Sequence, residues 1–107
     1  MSAEREAEVL AQIERAKAAL LGTGEQFARS EGGRPPARSD QFKRAREQVQ
    51  AAEQARNRLL VELVGDADTV PVELAQRLGL TGREAVNIVH TARSGSSRMK
   101  DYLLGQP

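Results

Sequence analysis

The chain has no cysteine, no tryptophan, one tyrosine, two phenylalanines and one histidine among its 107 residues. Without cysteine there can be no disulfide and no thiolate chemistry. With His90 as the sole histidine and no carboxylate at helical ligand spacing from it, a zinc site lacks donors. With Phe27, Phe42 and Tyr102 as the only aromatics, a core has to be built from Leu, Val, Ile and Ala. Small cores of that kind are marginal alone, which makes oligomerisation a reasonable expectation. No apolar run approaches the length that spans a bilayer, and no signal-peptide pattern opens the chain. The expectation is a cytoplasmic protein that does not contact a membrane.

A large charge of one sign is missing too. The net charge of +1 excludes a bulk polyanion binder, but the distribution is uneven. Residues 29–46 carry Arg29, Arg34, Arg38, Lys43, Arg44 and Arg46 against Glu31 and Asp40. Residues 83–100 carry Arg83, Arg93, Arg98 and Lys100 against Glu84 alone, while the first 25 residues are acidic. Two basic patches on a near-neutral chain suit phosphate contact combined with selective base reading, and equally suit a plain solvated surface. Catalytic patterns are lacking. The glycines at 22/24 and 32/33 have no Lys-Ser/Thr ending of a phosphate loop, and no serine has an oriented base nearby. The chain reads as a binding protein, not an enzyme, with no cofactor and no metal.

What is present is helical periodicity. In residues 2–21, Val9, Ile13, Ala16 and Leu20 show the 4-3-4 spacing of a coiled-coil seam, widened by Leu10 and Leu21, with Ser2 as cap and Gly22 as stop. This stripe predicts packing either on the next helix or on its copy in a second subunit. Residues 22–39, with glycine pairs and Pro35-Pro36, predict a loop that Phe27 pins to the core; a basic arm on a phosphate backbone is the alternative. Residues 40–64 predict a long helix capped by Ser39 or Asp40 and ended by Gly65. Phe42, Ala45, Val49, Ala52, Leu59 and Leu63 form its seam, broken only by Arg56. Its first half is expected to pair with residues 2–21 and its second half to support the helical stretch beyond residue 69. Pro71 suits the first turn of a new helix, entered by Thr69 or Val70. Residues 97–104 predict a last short helix with Met99, Leu103 and Leu104 inward.

The stretch 70–94, VPVELAQRLGLTGREAVNIVHTARS, organises the rest. Leu74 and Leu78 share a face of a short helix, and Gly79 stops it with a left-handed residue. Thr81 with Glu84 three residues on makes a capping box that opens a second helix. Ala85, Ile88, Val89 and Ala92 fall at i, i+3, i+4 and i+7 as its inner stripe. Stepping about 100° per residue, Arg83, Asn87, His90 and Ser94 lie opposite, a polar face with no acid at its centre. Arginine makes two-point contacts with guanine and asparagine with adenine in the major groove.

At these residues the chain resembles the prokaryotic helix-turn-helix family, over about a quarter of its length. Ala75 supplies the small residue four before the turn glycine. Leu74, Leu78, Leu80 and Ile88 supply the apolar positions around it, and Ala85 stands where many members carry a bulky branched residue. The resemblance implies an all-α fold: a tri-helical helix-turn-helix unit preceded by a helical hairpin or a coiled-coil-like amino-terminal helix. The expected division is 1–39 for packing or dimerisation and 40–107 for DNA binding, with no winged hairpin. The resemblance implies a small dimeric, nucleoid-associated transcriptional regulator that binds double-stranded DNA with the helix at 82–93. Arg83, Asn87, His90 and Ser94 would face the groove, and Thr81, Arg93, Arg98 and Lys100 the phosphates. The alternative is a helical protein-interaction module, an adaptor or anti-factor, that takes a protein partner through its amino-terminal helix.

Overall fold

In a computed structural model of the protein, which describes residues 2–25, 32–33 and 37–105, every regular element is a helix. In chain order these are α1 (Ser2–Gly22), α2 (Asp40–Val64), α3 (Val72–Arg77), α4 (Gly82–Ser94) and α5 (Ser97–Leu104). The chain is all-α, as its periodicity predicts. Phe27, Arg29, Glu31, Arg34 and the Pro35-Pro36 step, the expected pin and basic arm, lie outside the described residues.

α1 and α2 form an antiparallel hairpin. Ile13 and Ala16 of α1 bury against Ala52 of α2, with Val49 beside them. At one end Arg5 grips the Glu62 carboxylate. At the other, the Glu25 carboxylate accepts from the Ser39 N–H at 2.7 Å and from the Ser39 hydroxyl. Of the two partners its seam allowed, α1 therefore takes α2 of the same chain. Leu21, expected to widen the seam, is instead 60% exposed. It stands about 100° round the helix from Leu20, turned away from α2. α1 begins at Ser2 itself, so the serine lies inside the helix and not before it.

α2 starts where Ser39 Oγ accepts from the Phe42 N–H at 3.1 Å. Asp40 becomes its first residue, well placed at the positive end of the helix dipole. The second half buries Leu59, Leu60 and Val64 in the main core, together with Leu74, Leu78 and Leu80 around the α3–α4 turn and Ala85, Ile88 and Val89 of α4. α1 reaches this core as well. Val9 packs against it, and the buried Glu6 carboxylate accepts from Arg77 Nε at 2.8 Å. α1 thus contributes to both clusters of the core.

Two local expectations change. Pro71 is the residue before α3, in an extended conformation, and no side chain caps that helix. A proline fits there because it donates no hydrogen bond to lose. Met99 is 44% exposed, and no residue of α5 is fully buried. Leu103 and Leu104 do turn inward as expected, both half-buried and Leu104 against the main core, and hydrogen bonds add to their hold on α5. Gln54 Nε2 donates to the carbonyls of Asp101 and Tyr102 at 3.3 and 3.0 Å, Asn57 Nδ2 donates to Leu103 O at 2.7 Å, and Arg58 donates to Leu104 O. Positions 54, 57 and 58 share one face of α2, which latches the carbonyls that a helix end leaves without partners.

Candidate functional site

The site is built on α4, and the turn before it sets its angle. Leu78 closes α3, and Gly79 comes next at φ +73°. The Leu80 N–H donates to Ala75 O at 2.9 Å and the Gly79 N–H to Gln76 O at 3.0 Å. This is the paired-bond termination that a left-handed glycine permits. The capping box then forms in full. Thr81 Oγ1 accepts from the Glu84 N–H at 3.1 Å, and the Thr81 N–H donates to Glu84 Oε1 at 3.0 Å. The backbone donor above all, then the threonine side chain, holds the Glu84 carboxyl below the usual carboxylate range, and the nearby Arg56 charge adds to this.

Inward, α4 buries Ala85, Ile88 and Val89, with Ala92 half-buried, as its spacing predicts. Thr91 joins them. At the far end Arg93 Nη2 donates to Gly65 O at 2.9 Å and Ala67 O at 2.7 Å. With Glu84 beside Arg56 and Arg93 over Gly65, α4 runs alongside the last turns of α2 in the same direction. Its position is fixed at both ends by polar contacts and along its length by the core.

Outward, Arg83, Asn87, His90 and Ser94 are all exposed, as expected. Arg83 and Asn87 stand about one turn apart, with neither engaged in a hydrogen bond or ion pair with a described residue. Ser94 is different. Its hydroxyl donates back to His90 O at 3.2 Å and lies 3.5 Å from His90 Nε2, so serine and histidine form one local unit. The other residues that the sequence points to do not share one environment. Thr81 is exposed with its hydroxyl in the capping box, Arg98 is exposed at the start of α5, and Lys100 is half-buried. Arg93 is engaged with the loop before α3.

Two residues of this surface are not apparent from the sequence. Val86 is 54% exposed at the edge of the polar face. The 100° count does place it there, but its apolar character suggests burial. Arg56, in sequence only a break in the α2 seam, has a side chain just 12% exposed and donates to Asn57 Oδ1 at 3.2 Å. Burial pulls its pKa down, against the opposing pull of Glu53 and Glu84. It sets a positive charge under the start of α4. The outward face therefore offers a guanidinium, a carboxamide, an imidazole and a small apolar group. The one carboxylate of α4, Glu84, is held in the cap.

Among the described residues no helix is long and apolar enough to cross a membrane, and no three His, Cys, Asp or Glu side chains gather as metal ligands. No protein-family model, curated protein or solved structure matches the chain.

Proposed function

We propose that the protein is a small dimeric transcriptional regulator that binds double-stranded DNA sequence-specifically, with α3 and α4 acting as a helix-turn-helix and α4 entering the major groove. One observation carries this reading: Arg83 and Asn87 face outward, unengaged, from a helix whose only acid is locked in its cap. In the groove Arg83 and Asn87 read base edges by two-point contacts, His90 adds a third polar group, and Val86 suits a thymine methyl. Ser94 supports His90. Thr81, Arg98 and Lys100 meet phosphates, and Arg93 steadies the loop before α3. In a dimer two such helices would lie about one DNA turn apart on a palindromic site, and DNA binding would place the protein at the nucleoid.

The test is fluorescence anisotropy with duplexes selected from a random pool, at two salt concentrations. Asn87→Ala is expected to lose about 1–3 kcal/mol on its preferred base pair and to relax selectivity there. Arg98→Ala is expected to weaken binding to all duplexes alike and to reduce the log–log salt slope by about one. Equal losses on selected and random duplexes for both variants would remove the base-reading assignment. Absence of salt-sensitive, selective binding, together with a stable complex with a host protein, would favour the protein-interaction module.

A further inference from the structure

One flank of α2 is turned away from the main core and carries Arg44, Gln48, Ala51, Ala55, Arg58 and Glu62. The intervals are 4-3-4-3-4, the spacing of a helix-pairing seam. Arg44, Gln48, Ala51 and Glu62 are exposed, and Ala55 and Arg58 are half-buried. Two adjoining grooves between α1 and α2 open along this row, one bordered by Gln48, Ala51, Ala55 and Arg58 and the next by Arg44 and Gln48. Among the described residues the row is engaged only towards one end, where Glu62 meets Arg5 and Arg58 meets the Leu104 carbonyl. Arg58 belongs also to the face that latches α5, while Arg44, Gln48 and Ala51 stay exposed beside the α1 seam.

The charges along the row identify a partner. Laid antiparallel on itself, the row sets Arg44 against Glu62, Gln48 against Arg58, and Ala51 against Ala55. Every position then finds a complement: an ion pair at each end, an amide oxygen for a guanidinium inside it, and small side chains at the centre. Laid parallel, it would set Arg44 on Arg44 and Glu62 on Glu62. We infer that this flank is the contact between two copies of the chain, with α2 antiparallel to α2 about a two-fold axis between Ala51 and Ala55. Such an interface is isologous, so every pair occurs twice. The central alanines let the two helices approach to the short end of the roughly 8–10 Å range of helix packing. Each Glu62, already gripped by Arg5, receives the second copy's Arg44 and completes a three-charge network. This rests on the dimer of the proposed function, but it relocates the contact from the α1 seam, which is covered by α2, to the outer flank of α2. Its test uses no DNA, so either proposal can fail without the other.

Sedimentation equilibrium on the full chain reads the result. The wild-type protein is expected to dimerise. Arg44→Glu and Glu62→Arg are each expected to weaken the dimer by about tenfold or more, because each change counts twice and replaces attraction by repulsion. The double variant Arg44→Glu/Glu62→Arg is expected to recover the association. Since Glu62→Arg also deprives Arg5 of its partner, a second measurement stands beside it. The chain has no cysteine of its own, so Ala51→Cys and Ala55→Cys chains can be mixed and oxidised. Mixed 51–55 disulfides are expected in clear excess over 51–51 and 55–55. A monomeric wild type, a double variant no tighter than the single ones, or disulfides in statistical proportion would each overturn the assignment.

Discussion

Ala85 has no exposed surface, and Ala75 has almost none. Two methyl-sized side chains at these points let the turn and α4 close onto Leu59 and Leu60 of α2 with no bulk between them. Gly79 between them has a separate role. A Cβ built there would sit 3.9 Å from Leu10 Cδ2, an ordinary contact, so space is not what requires the glycine. The requirement comes from its φ of +73°. Gly79→Ala should therefore lower stability by about 1–2 kcal/mol, the cost of holding an L-residue left-handed. The expected sign is a lower urea midpoint with an unchanged m-value. A change of only a few tenths would mean the turn relaxes into another conformation. At this scale the sequence is informative wherever periodicity decides burial: Ile88 and Val89 inside, Arg83 and Asn87 outside. It misleads at Leu21 and Met99, expected inward and instead 60% and 44% exposed.

Among the elements, α4 is held mainly by its buried stripe and α5 more by hydrogen bonds. α4 has a buried stripe, a capping box and a glycine-closed turn, and all three have sequence signatures. α5 has no fully buried residue; it sets Leu104 against the edge of the main core and is held further by side chains of α2 that donate to its final carbonyls. Backbone acceptors leave no trace in a sequence, so that latch is invisible there, and Met99 suggests an inward role it does not have. Asn57 is the buried member of the latch, 5% exposed. Asn57→Ala should strand the Leu103 carbonyl and cost about 1–3 kcal/mol. Hydrogen exchange should show the amides of residues 97–105 opening well before the core, as a locally weakened element does. Exchange that quickens equally in all five helices would instead assign Asn57 to the core.

For the whole molecule, three carboxylates are held by specific partners, two of them across the α1–α2 hairpin and Glu84 within the cap of its own helix. Glu25 is held down by the Ser39 hydroxyl and N–H, Glu62 by Arg5, and Glu84 by Thr81. Each has a folded pKa below its unfolded value, so in the window between them the unfolded chain binds more protons and stability rises with pH. That contribution is complete above the ordinary carboxylate range and is lost as pH falls through the lowered values. The melting temperature should drop between neutral pH and about pH 3, and replacing all three residues by glutamine should flatten the profile. A profile already flat in the wild type would contradict the assignment. The antiparallel hairpin that two of these residues fasten is half legible in the sequence. The α1 seam is plain there, but a seam does not name its partner. The burial of Ile13 and Ala16 against Ala52, with the pairings of Arg5 with Glu62 and Glu25 with Ser39 at the two ends, shows that it closes within one chain. The complementary row on the outer flank of α2 lies in the same sequence, hidden behind a more apolar stripe on the same helix.

The central claim is that the outer face of α4 distinguishes base pairs, and one measurement tests it most directly. Sites bound by the wild-type protein and by Asn87→Ala would be selected in parallel from one random duplex pool. A defined motif is expected for the wild type, and the same motif with one position blurred for the variant. Identical motifs from both proteins, or none from either, would contradict it.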